Sequence, residues 1–406
     1  MKKLSYILVI ALLSAGACEK NADEPVYRQI EITKTTSEII KGDNAFGFKM
    51  LNEIIASGET ANNIFISPTS ISLALAMVYN GADGETKLEM EDALMKSGFT
   101  REEINESYKS LIAALLSVDP KVKVQIANSI WYRMGFQVQQ DFIDVNKEYY
   151  DAEVSSLDFN LPEAPGVINN WVEDKTNGKI TSIVDQIPDE AVMYLINAIY
   201  FKGIWTYEFD EAKTDSRIFH LMTGDVNVPF MNQKATINYS VNDTLSFIEL
   251  PYGQGNYSMI VLLPAEGKTT GDITGALTPE NWDRWTGNLS EHEVNISLPR
   301  FSFRYENKLN DELANMGMPT AFTDSADFSG INPLEQLFIS KVIHKSFVEV
   351  NEEGTEAAAV TSVEVGVTSV GDDIYFIADK PFVFAIREKS TGTIMFLGRL
   401  MDPSEE

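Results

Sequence analysis

The sequence predicts an α+β fold, with helices concentrated early and paired strands late, built around large mixed sheets. Three observations point there. Apolar residues recur at helical spacing over 70–96, 101–117 and 164–178, with Asn177-Gly178 closing the last. Alternating or continuous apolar runs mark strands over 192–206, 225–265, 292–305, 338–350 and 374–400, several of them at hairpin spacing. The chain has 406 residues, 44% hydrophobic and 10% aromatic, enough for a large core. Length alone favours two or three domains. After residue 40, however, no Pro/Gly/Ser-rich linker, charge block or internal repeat interrupts the pattern, so one domain is expected over 41–406.

The N-terminus reads as export chemistry. Met1-Lys2-Lys3 is a basic start, Tyr6 to Leu13 a short apolar run, and Ser14-Ala15-Gly16-Ala17 are small. Residues 1–17 therefore fit a secretory signal, too short to span a bilayer. Cys18, the one cysteine of the chain, follows directly. Small residues before a cysteine resemble a bacterial lipoprotein cleavage box, in which that cysteine is lipidated and becomes the new N-terminus. Ala15 stands where Leu is most usual, and ordinary secretion with an incidental Cys18 is the other reading. Either way an exported chain without a disulfide must be stabilised by its core. Residues 18–40 are expected to be the lipidated cysteine and a polar, flexible tether. The protein is thus expected in the bacterial envelope, membrane-anchored through Cys18, or secreted.

A net charge of −28 argues against nucleic acid, which needs Lys/Arg stripes to displace counterions. Enzymatic chemistry finds no support. His220, His292 and His344 are not spaced as metal ligands, and no Gly-x-Ser-x-Gly elbow, His-Glu-x-x-His, phosphate-binding loop or dinucleotide fingerprint is present. With 60 acids, any chosen carboxylate pair would be noise. No cofactor or metal is implied.

The most unusual segment lies at about 352–375. Every second residue from Thr355 (Thr355, Ala357, Ala359, Thr361, Val363, Val365, Val367) is small or β-branched and uncharged, as the buried face of a strand requires. The opposite face carries Glu356 and Glu364. Yet the segment is bounded by Glu352-Glu353-Gly354 and Gly371-Asp372-Asp373, the punctuation of an exposed loop. One reading is a permanent strand. Ala357-Ala358-Ala359 is its weak point, because Ala contributes little cross-strand packing. The other is a loop able to become a central strand.

Ile339 through Ala359 resembles the strand and hinge that precede the reactive loop of serpins. Further blocks resemble the same family in the same order. They are Asn63-Ile64-Phe65-Ile66-Ser67-Pro68-Thr69-Ser70-Ile71 with Asn80-Gly81-Ala82, then Asn197 through Trp205 with Phe209, and Glu249-Leu250-Pro251-Tyr252 with Ser258 through Pro264. Leu298-Pro299-Arg300-Phe301, Ala326 through Gly330, Lys380 through Phe384 and Phe396-Leu397-Gly398-Arg399 complete the set, over about residues 40–403. The resemblance implies large mixed sheets surrounded by helices, with an exposed reactive-centre loop. It also implies a monomer that traps serine proteases. The protease attacks the loop as substrate, and the hinge half then inserts into the main sheet before the acyl-enzyme hydrolyses.

Residue by residue, the resemblance makes Glu353, Gly354, Thr355, Glu356, Ala357, Ala358 and Ala359 the hinge. It makes Ser67, Ser70, Asn197 and His344 a polar cluster under the sheet, and Trp205 the aromatic where insertion begins. A satisfied core histidine, a large core aromatic and a generic hinge glycine are the plain alternatives for His344, Trp205 and Gly354. Counting forward from Gly354 places the reactive bond at Thr368-Ser369, while counting back from Pro381 points nearer Val370-Gly371. Val367, Thr368 and Val370 suit the shallow pocket of elastase-like or subtilisin-like enzymes, with a broad range including cysteine proteases also open. The absence of Lys or Arg between Gly354 and Ile377 disfavours trypsin-like targets. Pro is absent from the inserting face, so no ladder donor is missing. The alternative function is a non-inhibitory member acting as a binding or scaffold protein.

Overall fold

The computed structural model describes residues 27–58, 62–355 and 373–405. Its helices are α1 (Lys34–Ala56), α2 (Pro68–Tyr79), α3 (Gly84–Ala93), α4 (Arg101–Leu115), α5 (Gln140–Tyr150), α6 (Ala164–Lys175), α7 (Thr270–Ala276), α8 (Pro279–Gly287) and α9 (Asn310–Asn315). α2 is apolar nearly all round and ten of its twelve residues are buried, so it runs through the interior instead of over the surface. Ser67 caps it, its hydroxyl accepting the Ser70 N–H, with Pro68 pre-set for the first turn. The helical period expected over 70–96 is broken between α2 and α3. Gly81 packs so close to Ile331 that a Cβ there would lie 2.3 Å from its side chain. α4 begins at a reciprocal capping box of Thr100 and Glu103.

The tether expected over 18–40 needs correction from residue 27 onward. Thr33 caps α1 by accepting the Thr36 N–H, and Ile39 and Ile40 are fully buried. The polar composition of the stretch masked an apolar stripe, Ile39, Phe46, Met50 and Ile54, that emerges only when the helix is read past residue 40. Residues 18–26, Cys18 included, lie outside the described residues, as does the signal.

Among the described residues the strands form two sheets. A nine-stranded sheet holds β1 (Ile64–Ile66), β5 (Asp215–Leu221), β6 (Gly224–Val241), β7 (Leu245–Tyr252), β8 (Tyr257–Pro264), β9 (Ser290–Pro299), β13 (Ile374–Ile377), β14 (Phe382–Glu388) and β15 (Ile394–Leu400), in the order β1-β15-β14-β8-β7-β6-β9-β13 with β5 paired to β6. A six-stranded sheet holds β2 (Val122–Arg133), β3 (Glu153–Leu157), β4 (Met193–Ile204), β10 (Phe301–Lys308), β11 (Ile343–Val350) and β12 (Gly354–Thr355), in the order β10-β11-β12-β4-β2-β3. Parallel and antiparallel pairs occur in both sheets, which with the helices gives the α+β class. β14 and β15 are buried at every position, which explains their continuous apolar runs. Phe65 of β1 meets Phe303 of β10 edge-on at 6.3 Å, and Phe301 of β10 meets Phe384 of β14 at 5.4 Å, so aromatic rings knit the two sheets together.

Two strand expectations change. The run over 292–305 divides at Arg300, β9 and β10 going to different sheets. The run over 338–350 becomes a strand only from Ile343. Asn310 captures the preceding backbone, accepting from Val342 N–H at 2.9 Å and donating to Ser340 C=O at 3.0 Å.

Candidate functional site

The site lies between β4 and β11. Asn351 closes a tight turn onto Gly354, its backbone N–H donating to Gly354 C=O at 2.9 Å and its side-chain carbonyl accepting the Glu353 and Gly354 N–H groups. The chain then enters the sheet as β12, Gly354 opposite Ile204 and Thr355 opposite both Gly203 and Val350. Only glycine fits at 354: its φ is +154°, and a Cβ would lie 2.1 Å from the Gly203 carbonyl oxygen. Thr355 is 5% exposed, and its hydroxyl bonds the Tyr252 hydroxyl at 2.6 Å. Its side chain therefore faces the interior.

Trp205 fastens this turn. Its ring N–H donates to Asn351 C=O at 2.9 Å, its backbone N–H to Glu353 C=O at 2.8 Å, and its ring stacks on Tyr252 at 4.4 Å. Glu352 is buried beside Arg300 and takes a hydrogen bond from Thr214 Oγ1 at 2.6 Å. Burial opposes its charge, but the Arg300 guanidinium and the Thr214 hydroxyl prevail and hold the carboxyl below its ordinary range.

Beyond β12 the two strands are not laddered to each other among the described residues. β4 pairs with β2 along its whole outer edge from Met193 to Gly203, and β11 pairs with β10 from Ile343 to Val350. The slot between them contains a cleft of about 410 Å³ whose walls include Leu195, Asn197, Ile199, Ile343 and His344, with Ala74 of α2 beneath.

At mid-slot a polar cluster underlies the strands. Ser67 N–H donates to His344 Nε2 at 3.2 Å, and Ser67 Oγ donates to Met395 C=O at 2.6 Å. Ser70 Oγ bonds Asn197 Oδ1, Asn197 donates to Asn128 Oδ1 at 2.7 Å, and Asn128 donates to Tyr150 C=O at 2.7 Å. Because His344 Nε2 accepts, the ring is neutral, and burial pushes its pKa down to about 4. An unfolded histidine takes its proton near 6.5, so as pH falls the unfolded chain binds it first. The stabilising effect of neutral His344 is thus complete above about pH 6.5 and drains away toward pH 4, a loss of about 3 kcal/mol. We expect the urea midpoint to fall over that window, and His344→Gln to flatten the dependence. An equally steep profile in the variant would assign the titration to other groups.

Ser67, Ser70, Asn197 and His344 are thus brought into one hydrogen-bonded cluster, while Trp205 lies with Glu353, Gly354 and Thr355 at the other end of the slot. Glu356, Ala357, Ala358, Ala359, Val367, Thr368, Ser369 and Val370 lie outside the described residues. Residue chemistry alone passed over Tyr252, Asn351, Asn128 and the Arg300–Glu352 pair. Asn351, in Asn-Glu-Glu-Gly, was readable as a turn residue. The others act across the fold and leave no local signal.

A family model described as serpin, serine protease inhibitor, matches residues 41–403. A serpin-like protein of Thermococcus kodakarensis is 37% identical over 435 residues, covering 100% of both chains. The leukocyte elastase inhibitor of Homo sapiens is 38% identical over 86% of this chain and 95% of its own. Among solved structures, the thermophilic serpin tengpin in its native state superposes with a TM-score of 0.83 at 34% identity, covering 92% of this chain and 96% of that one. The hinge, the slot and the buried cluster therefore sit in a fold of known kind, and the chain belongs to the serpin family.

Proposed function

We propose that this chain is a suicide-substrate inhibitor of serine proteases, and that its hinge continues down the slot once the chain is cut at Thr368-Ser369. The carrying observation is the inward side chain of Thr355, which fixes the parity of everything that follows. With period 2, an inserted strand would turn Ala357, Ala359, Thr361, Val363 and Val365 inward as well, and these are the small, uncharged residues. Extending the register of β12 pairs each step forward from Thr355 with a step back from Gly203 and from Val350. Six steps place Thr361 between Asn197 and His344, directly over the Ser67–Ser70 cluster. Ten steps place Val365 opposite Met193, where β4 begins. Charge, size and length of the segment all match the slot.

In the covalent step the protease serine attacks the Thr368 carbonyl carbon. An acyl ester forms, the amide bond to Ser369 breaks, and the new amine leaves with a proton. Insertion then competes with hydrolysis of the ester. Val367, Thr368 and Val370 favour elastase-like or subtilisin-like targets, and the likeness to leukocyte elastase inhibitors supports that choice. Incubation with leukocyte elastase should yield an SDS-resistant complex and a released fragment beginning at Ser369. Clean cleavage without the complex, across small-residue-preferring proteases, would leave a non-inhibitory serpin.

The same proposal places the protein at a membrane through lipidated Cys18. The mature protein should partition with membranes and Cys18→Ala should release it or block its processing; a soluble, unmodified wild-type protein would remove the anchor and leave inhibition untouched.

A further inference from the structure

β13 forms one edge of the nine-stranded sheet, pairing only with β9 among the described residues. Its Phe376 is buried, yet Tyr375 and Ile377 are 62% and 39% exposed. The register sets Tyr375 beside Asn295 and Lys234, and Ile377 beside Ser297 and Asn232, so two large, mainly apolar side chains stand on an otherwise polar sheet face. On this face Lys234 is held by Glu293 at 3.0 Å and Asp373 at 3.3 Å, and Arg217 donates to Ser297 Oγ at 2.9 Å. An aromatic and a β-branched side chain adjacent on one face, next to an open edge, is costly to leave in water and hazardous for aggregation.

We infer that this face is a second docking surface for the protease that attacks the chain at Thr368-Ser369, with Tyr375 and Ile377 as its apolar anchors. The inference rests on that bond being the one attacked. Chain length selects the occupant. Tyr375 lies six residues beyond Ser369, a reach of at most about 21 Å. A protein partner covers about 800 Å² of surface, a disc of roughly 16 Å radius. A globular partner of about 230 residues has a radius of roughly 22 Å, more than the longest reach to Tyr375, so a protease seated on the bond overhangs β13. Tyr is a residue type that anchors such contacts. The face lies outside the inserting segment, so it acts on how fast and how tightly the protease docks. The partition between trapping and hydrolysis is left unchanged.

The test uses the full-length protein and leukocyte elastase whose nucleophilic serine is replaced by alanine, so that binding is read without any covalent step. Tyr375→Ala and Ile377→Ser should each weaken the affinity severalfold, and the double variant about tenfold or more. With active leukocyte elastase, the double variant should form complex more slowly at unchanged stoichiometry. Equal affinities for wild type and variants, or no measurable docking by the wild type, would overturn the inference. So would a change of oligomeric state in the variants on gel filtration, which would give the face to a second copy of this chain. Clean cleavage by the active enzyme is a separate readout and bears only on the inhibitory function.

Discussion

Cutting the chain at Thr368-Ser369 should raise its melting temperature by tens of degrees. A nick in an ordinary loop is neutral or harmful, because it enlarges the entropy of the unfolded chain. Here it frees a segment whose start is already laddered, Gly354 to Ile204 on one side and Thr355 to Gly203 and Val350 on both. β4 has 12 residues, two of them taken by β12, which leaves ten positions from Met193 to Lys202 for new pairing. Each ladder bond gained contributes ~1 kcal/mol net, and each inward methyl group adds to that by leaving water. A surplus of about 10 kcal/mol over the ordering cost, at roughly 2 °C per kcal/mol for a large domain, moves the midpoint by ~20 °C. Calorimetry of intact and nicked protein side by side decides it. An equal or lower midpoint for the nicked form would mean that the slot is not filled by this chain, and the inhibitory mechanism would fall with it.

That expectation rests on a part of the molecule whose pattern was visible in the sequence. Alternation from Thr355 needs only the period of a strand, and the structure adds which face is inward through one hydroxyl bond to Tyr252. The fold class was visible for the same reason: α2, β8, β14 and β15 have strong apolar patterns because each is buried on most sides, and α4 shows a clear stripe because one of its faces is buried. β2 was harder to see. Its Lys123 and Gln125 interrupt the run, since this strand has a solvent-facing stretch before its apolar half. The buried cluster could not have been found from spacing at all. Ser70 and Asn197 are 127 residues apart and Ser67 and His344 are 277 apart, so only the family resemblance joined them before the fold did. The Arg300–Glu352 pair stayed hidden because one more ion pair carries no signal in a chain with 60 acids.

Thr361→Arg should convert the protein from inhibitor to substrate. If the register of β12 continues on insertion, residue 361 would meet Asn197 on one side and His344 on the other, over Ser67 and Ser70. The cluster has no carboxylate to receive a cation, and its histidine is neutral with Nε2 already accepting from Ser67. An unpaired guanidinium driven into that position costs several kcal/mol or more. Insertion would stall with the slot half filled, and each kcal/mol added to its barrier slows it about fivefold relative to ester hydrolysis. The protease should then escape and leave cut inhibitor behind. Thr361→Ser keeps the hydroxyl and should retain trapping, which separates the chemistry of the position from any change in the loop. Ala359→Glu, one inward position nearer the hinge, should have the same effect as Thr361→Arg, because it too buries an unpaired charge. Densitometry of SDS-resistant complex against cut protein reads the partition directly. If Thr361→Arg traps leukocyte elastase with the stoichiometry of the wild type, residue 361 does not enter the sheet, and the slot between Asn197 and His344 has some other use.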